Sequence, residues 1–165
     1  MRISISVVTT EPVEIRLAEE ADRLPMAVAW AKVAEERDGI AAEPPVDVER
    51  RAAHWELDRT FAAVAAGEVV GVLHIIESSF GFGEIGMFVA ADRRRCGVGA
   101  ALVEAAIAWA KARPLHKLTL SVFPHNEAAI GLYRKFGFVE EGLHPKQLRR
   151  ANGELWDLLD MGLLL

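Results

Sequence analysis

A short apolar run, residues 85–90, leads into Arg94-Arg95-Cys96-Gly97-Val98-Gly99 and then into a stretch of helical periodicity. A strand, a glycine-bearing turn and a helix start, in that order, make an anion site. The first turn of a helix carries backbone N–H groups with no intrahelical acceptor, and the aligned peptide dipoles place roughly half a positive charge beside them. Phosphate oxygens answer both needs. Gly97 and Gly99 lack Cβ atoms, so a ligand can approach the main chain closely and the turn can take a positive φ where required. Arg93, Arg94 and Arg95 add charge alongside. Two other phosphate loops are excluded: a P-loop needs a lysine that is absent after Gly97 and Gly99, and a dinucleotide fingerprint needs a third glycine where Leu102 stands. From these residues alone, an anion site and an ordinary helix start with surface arginines stay equally open.

The basic run is local. With 19 basic and 24 acidic side chains the net charge is -5, which argues against general affinity for nucleic acid or an anionic membrane surface. At 165 residues and 52% hydrophobic content the chain suits one domain with a substantial core. Cys96 is the only cysteine, which excludes an intramolecular disulfide and a cysteine-rich zinc site. With no base partner nearby it reads as a tolerated small residue. His54, His74, His116 and His144 have no ligand spacing, so no metal is expected. Serines interrupt the apolar run of residues 3–8, which does not read as a signal peptide. Residues 155–165 contain Asp157 and Asp160 and are too short to span a bilayer. The expected location is cytoplasmic.

Residues 13–17 read as a first strand. Residues 21–36 form a helix with Leu24, Val28, Ala31 and Glu35 at helical spacing and its firm start near Pro25. Gly39, Pro44 and Pro45 mark a loop, and a second helix is expected over residues 46–57. Residues 60–65 and 69–76 make a hairpin about Ala66-Gly67-Glu68. A strand over residues 84–90 enters the anion loop. Val98, Leu102, Ala105, Ala106 and Trp109 then form one stripe of a helix that ends before Pro114. Residues 117–123 alternate as a half-buried strand. Asn126 caps a helix whose face carries Ala129, Leu132, Tyr133 and Phe136, and Gly137 closes it. Strands over residues 138–143 and 155–164 follow, separated by a polar, basic connection with Pro145, Arg149, Arg150, Asn152 and Gly153. The order β-α-α-β-β-β-α-β-α-β-β is α/β or α+β with a mixed sheet, since the hairpin is antiparallel and the strand-helix-strand crossovers favour parallel pairing.

Residues 83–142 resemble the GNAT superfamily of acetyl-CoA-dependent N-acetyltransferases. The signature [Arg/Gln]-x-x-Gly-x-[Gly/Ala] is met by Arg94, Gly97 and Gly99. A second element, Asn-x-x-Ala-x-x-x-Tyr-x-x-x-Gly-Phe, is met by Asn126, Ala129, Tyr133, Gly137 and Phe138, in the right order and across the expected strand. The resemblance implies a GNAT-like, mostly antiparallel mixed sheet of about seven strands with about four helices and splayed central strands. It also implies one acetyltransferase domain over residues 11–165, with residues 1–10 a short extension or extra strand.

It further implies acetyl-CoA as co-substrate and a direct attack by a primary amine in a ternary complex. The coenzyme pyrophosphate would rest on the loop residues Arg94, Arg95, Cys96, Gly97, Val98, Gly99 and Ala100. The pantetheine arm would pair with Met87, Phe88 and Val89, the Val89 amide would polarise the thioester carbonyl, and Asn126 would meet the pantetheine besides capping its helix. Tyr133 stands at the family position that protonates the departing thiolate. Glu84 is either the base that deprotonates the amine or a solvated carboxylate at a strand end. His125 reads as a loop residue, and Trp30 and Trp55 as core or as walls of the acceptor site. The acceptor is unnamed: a small amine, an amino acid, an antibiotic or a peptide N-terminus. A homodimer is common in the family. A catalytically silent acyl-CoA-binding module is the alternative to an enzyme, and retention of the tyrosine favours the enzyme.

Overall fold

The computed structural model describes residues 12–165 and, as backbone only, residues 2–5. The remainder of the apolar run 3–8 and of the expected extension 1–10 lies outside the described residues. The chain forms two units, Met1–Ile75 with Met87–Ala106, and Ile76–Gly86 with Ile107–Leu165.

In the first unit, strands β1 (Arg2–Ile5), β2 (Val13–Leu17), β3 (Thr60–Ala65) and β4 (Glu68–Glu77) lie side by side in antiparallel order. The hairpin between β3 and β4 turns on Ala66 (φ 49°) and Gly67 (φ 81°). Two successive left-handed residues match the twist of the flanking strands, which is why a two-residue loop suffices. The end of β5 (Phe82–Val89) lies beside β4, and the Ala90 N–H donates to the Val70 carbonyl at 2.9 Å.

Helix α1 (Arg23–Ala34) covers one face, setting Met26, Ala29 and Val33 against Ala62, Val72 and Phe88. This is not the expected stripe: Leu24 is 54% and Val28 40% exposed. The helix is apolar nearly all round, so size decides, and Met26, Trp30 and Val33 at i, i+4 and i+7 give the better-filled contact. Its entry is fixed by Arg16, whose guanidinium donates to both Asp22 carboxylate oxygens at 2.5 and 3.0 Å, while the Glu19 N–H donates to the same carboxylate at 2.7 Å. The hydrogen bond from Arg16 holds the Asp22 carboxyl below its ordinary pKa.

Helix α2 (Val48–Ala53) is shorter than expected. Asp47 caps it by accepting from the Arg50 N–H, and the chain leaves the helix at His54, which turns Trp55 into the core at 3% exposure. Helix α3 (Val98–Lys111) packs on the opposite face with Val98, Leu102, Ala105 and Ala106 buried as expected. Gly71 makes that approach: a Cβ there would lie 3.2 Å from Leu102 Cδ1 and 3.3 Å from Val98 Cγ1.

In the second unit β5 pairs in parallel with β6 (Lys117–Val122). The register covers three positions, Phe82 with Lys117, Gly83 with Leu118 and Glu84 with Thr119, and stops there. This short register at a parallel crossover is the splay that the resemblance implied. β6 pairs antiparallel with β8 (Leu155–Leu164), and β8 with β7 (Val139–Arg149). Most of the expected loop between the last two strands is therefore strand. β7 ends the strand order, where Pro145 costs no ladder bond, and the register shifts between His144 and Leu148. The turn shrinks to the residues after Arg150, whose N–H donates to the Glu154 carbonyl at 2.8 Å. Helix α4 (Glu127–Lys135) begins where expected, with the Asn126 side chain accepting from the Ala129 N–H, and Gly137 follows it at φ 90°.

Candidate active site

Between β5 and α3 the chain makes one 3₁₀ turn, Ala91–Arg93, and then a loop in which Arg95 (φ 58°) and Gly97 (φ 90°) are left-handed. Glycine allows this freely, whereas Arg95 carries a Cβ and holds the conformation at a cost of about 1 kcal/mol or more. The first bond into α3 runs from the Ala101 N–H to the Gly97 carbonyl at 3.0 Å. The N–H groups of Val98, Gly99 and Ala100 precede it, so none has a carbonyl one turn earlier to donate to. They end the loop as a row of backbone donors at the positive end of a 14-residue helix.

The arginines of the loop divide their work. Arg94 donates through Nε to the Val89 carbonyl at 3.0 Å and through its guanidinium to the Glu36 carboxylate at 2.7 and 2.9 Å. It therefore ties the loop to the end of β5 and to the residues after α1. Arg93 lies 3.6 Å from Asp92, and Arg95 is exposed. The Cys96 thiol donates to the Arg94 carbonyl at 3.3 Å. In β5 itself Phe88 is buried, and Met87 and Val89 are half-buried.

The remaining candidates belong to the second unit. Tyr133 is 6% exposed on the inner face of α4, with its ring 5.7 Å from that of Phe138. Burial pushes its phenol up to about 12, so the hydroxyl keeps its proton throughout the physiological range. It has no hydrogen-bond partner among the described residues. Glu84 is exposed and stands at the last register position that β5 shares with β6. Asn126 spends its side-chain oxygen on the Ala129 N–H at 3.1 Å. His125 stacks on Phe123 with ring centroids 5.4 Å apart and planes 8° apart, and meets Trp156 edge-on.

One grouping in the first unit escaped the sequence. Trp30 of α1, Trp55, His74 of β4 and Phe88 of β5 form a single set of ring contacts, 5.6 to 6.5 Å between centroids. Arg51 of α2 places its guanidinium carbon 4.1 Å from the Trp30 centroid and 3.9 Å from that of Trp55. Burial, with the Arg51 charge second, lowers His74 to about 4, so its imidazole is neutral at neutral pH. The spacing of these residues, from 30 to 88, gives no periodic signal that joins them.

The chain thus combines a mixed sheet that contains one short parallel pair with a loop of backbone donors at the start of α3. Residues 27–138 match the Acetyltransferase (GNAT) family, and the chain belongs to that family. A relative in Pseudomonas aeruginosa, L-methionine sulfoximine/L-methionine sulfone acetyltransferase, is 34% identical over 134 residues, which cover 74% of this chain and 77% of the relative. The crystal structure of a GNAT acetyltransferase from Streptococcus pneumoniae superposes with a TM-score of 0.82 at 27% identity, covering 93% of this chain and 99% of that one. An acetyltransferase of Salmonella typhimurium, solved with its cofactor acetyl-CoA, has the same fold at a TM-score of 0.82 and 21% identity, covering 93% and 94%. The protein is thus an acetyl-CoA-dependent acyltransferase, which decides for the enzyme over the silent binding module. Among the described residues no helix is long and apolar enough to cross a membrane.

Proposed function

We propose that the enzyme acetylates the α-amine of a free amino acid or close analogue, by direct attack within a ternary complex. The observation that carries the donor half is the row of Val98, Gly99 and Ala100 N–H groups behind the left-handed Gly97, which supports a coenzyme A pyrophosphate cradle. Arg94 serves it indirectly, by fastening the loop. The acceptor half is supported by the Pseudomonas relative, whose substrates are amino acids.

In this reading the pantetheine arm runs along Met87, Phe88 and Val89, and the Val89 amide stabilises the developing oxyanion. An ammonium has no lone pair, and an amine of pKa near 10 is mostly protonated at neutral pH, so Glu84 takes its proton, directly or through a water. The amine nitrogen attacks the thioester carbon, the carbon–sulfur bond breaks, and the Tyr133 hydroxyl protonates the departing thiolate. With its pKa raised to about 12 the phenol keeps its proton until the thiolate forms, although the same burial makes it a weaker acid than a thiol. Asn126 meets the pantetheine through its amide nitrogen, its oxygen being engaged in the cap. We read the catalysis as metal-free, residues 11–165 as one domain, and the protein as cytoplasmic, with a homodimer as a possible assembly and without nucleic-acid or membrane partners; the net charge of -5 supports the last point.

The test is release of free coenzyme A from acetyl-CoA with L-methionine sulfone, L-methionine sulfoximine, spermidine and a peptide N-terminus as acceptors. Turnover should be fastest with the two amino acids. Turnover confined to the polyamine or the peptide would replace the acceptor class.

A further inference from the structure

Arg51 stands out in the first unit because it is half-buried and yet has no carboxylate partner among the described residues, whereas Arg50 and Arg95, also without one, are exposed. Its neighbours show what arginine ordinarily does here: Arg16 pairs with Asp22, Arg23 with Glu20, Arg59 with Asp58 and Arg94 with Glu36. The Arg51 guanidinium pairs with no carboxylate and donates no hydrogen bond among the described residues. Its Nε is buried without an acceptor, and so is Nε1 of Trp55 beside it. His74, in ring contact with both tryptophans, likewise has no hydrogen-bond partner among the described residues. Three polar side chains with unmet hydrogen-bonding capacity therefore meet in one place.

Cation–π contact with two indoles offsets only part of the cost of desolvating a guanidinium. Arginine cannot escape by losing its proton, since its pKa stays far above neutrality. Such a group is held ready for an anion. The indoles, 6.0 Å apart and inclined at 75°, wall the guanidinium on two sides, and the Arg51 residue as a whole is half-buried, not sealed from solvent. A guanidinium edge matches the two oxygens of a carboxylate. Phe88, on the strand assigned to the thioester arm, touches Trp30, so the cluster abuts that strand.

We propose that Arg51, set in the angle between Trp30 and Trp55, binds the carboxylate of the acceptor and so selects amines that carry an acid group. The proposal rests on the amino acid reading above. It makes Arg51 a specificity residue: the carboxylate on Arg51 orients the substrate with its amine toward β5, the indoles exclude water from the ion pair, and neutral His74 adds a hydrogen bond without a second charge. Amines with no acid group, such as polyamines, leave the guanidinium unpaired and bind poorly.

The experiment measures initial rates with L-methionine sulfone and with its carboxamide, for the wild-type chain, Arg51→Met and Arg51→Lys. Wild type should prefer the acid to the amide by roughly 10- to 100-fold in kcat/KM, the range of one hydrogen bond to a charged group. Most of that should lie in KM. Arg51→Met should raise KM for the acid until acid and amide are alike, with kcat changed far less, and Arg51→Lys should recover part of the preference. An acid-to-amide ratio unchanged in Arg51→Met, or no preference in wild type, overturns the anchor while the amino acid reading stands. Turnover of neither acid nor amide, alongside turnover of spermidine, overturns both. Acetyl-CoA affinity reports whether each variant folds; if Arg51→Met does not, the wild-type ratio and Arg51→Lys decide.

Discussion

The loop after β5 and the cluster around Arg51 both hold unspent hydrogen-bond donors, but they are built in opposite ways. The loop takes its donors from consecutive backbone amides, presented by one left-handed glycine and the start of α3, on a stretch where Arg94, Arg95 and Gly97 are exposed. A backbone donor on such a loop can exchange hydrogen bonds with solvent, so leaving it without a protein partner costs little. The cluster takes its donors from side chains on separate elements and buries two of the nitrogens outright, where an unmet donor costs about 1 to 3 kcal/mol. A backbone site tolerates changes of side chain as long as the turn survives, whereas a side-chain site answers to each residue singly. The first suits the invariant part of a substrate, the second the part that varies.

Tyr133→Phe should have the largest effect, because in the proposed mechanism its hydroxyl acts in the chemical step and in neither of the two sites. Turnover should fall by roughly 10²- to 10⁴-fold, the range of one general acid, with acetyl-CoA affinity and acceptor KM nearly unchanged. Steady-state kinetics with coenzyme titration checks this, and unchanged turnover returns Tyr133 to the role of a core aromatic beside Phe138. Next comes Gly97→Val. A β-branched residue at φ 90° either strains or redirects the row of amides, a penalty of about 1 to 3 kcal/mol. The dissociation constant for coenzyme A should rise by roughly 5- to 100-fold on that scale, while acceptor KM at saturating acetyl-CoA stays put. A matching rise in acceptor KM would mean that the two sites are not separable as described.

The same contrast explains what could be read in advance. The loop, the caps and the hairpin were legible because each is local: Gly97, Asn126, Gly137 and the Ala66-Gly67 turn answer to the φ values and orphan amides of their own segment. The stripe of α3 was legible because Val98, Leu102, Ala105 and Ala106 repeat at one period against one partner face. Helix α1 has apolar residues on almost every side, so its period could not say which face the sheet would take. β7 was cut short because Pro145 breaks a central strand and only its place at the end of the strand order makes it harmless. Arg51 was invisible for a further reason: its meaning is the carboxylate it lacks, and no spacing in a chain records an absent partner.

The smallest effect bears on whether the cluster is as dry as its geometry suggests. His74 is lowered from 6.5 to about 4, chiefly by burial and secondly by the Arg51 charge. Between those two values the unfolded chain binds a proton that the folded chain refuses. Stability contributed by neutral His74 is therefore complete above about pH 6.5 and is lost as the pH falls toward 4. At about 1.4 kcal/mol per pKa unit the loss should be roughly 1 to 3 kcal/mol. Urea unfolding of wild type and His74→Gln across that window isolates it, because the other acidic groups titrate in both and cancel in the difference. The glutamine variant should show the shallower acid decline. Arg51→Met removes the second cause, so the folded-state pKa of His74 should rise toward 6.5 and the total acid loss should be smaller than in wild type, with the onset near pH 6.5 unchanged. Parallel curves for wild type and His74→Gln would mean that water already reaches the imidazole. The donors around Arg51 would then be as well solvated as those of the loop, and the contrast between the two sites would reduce to backbone against side chain.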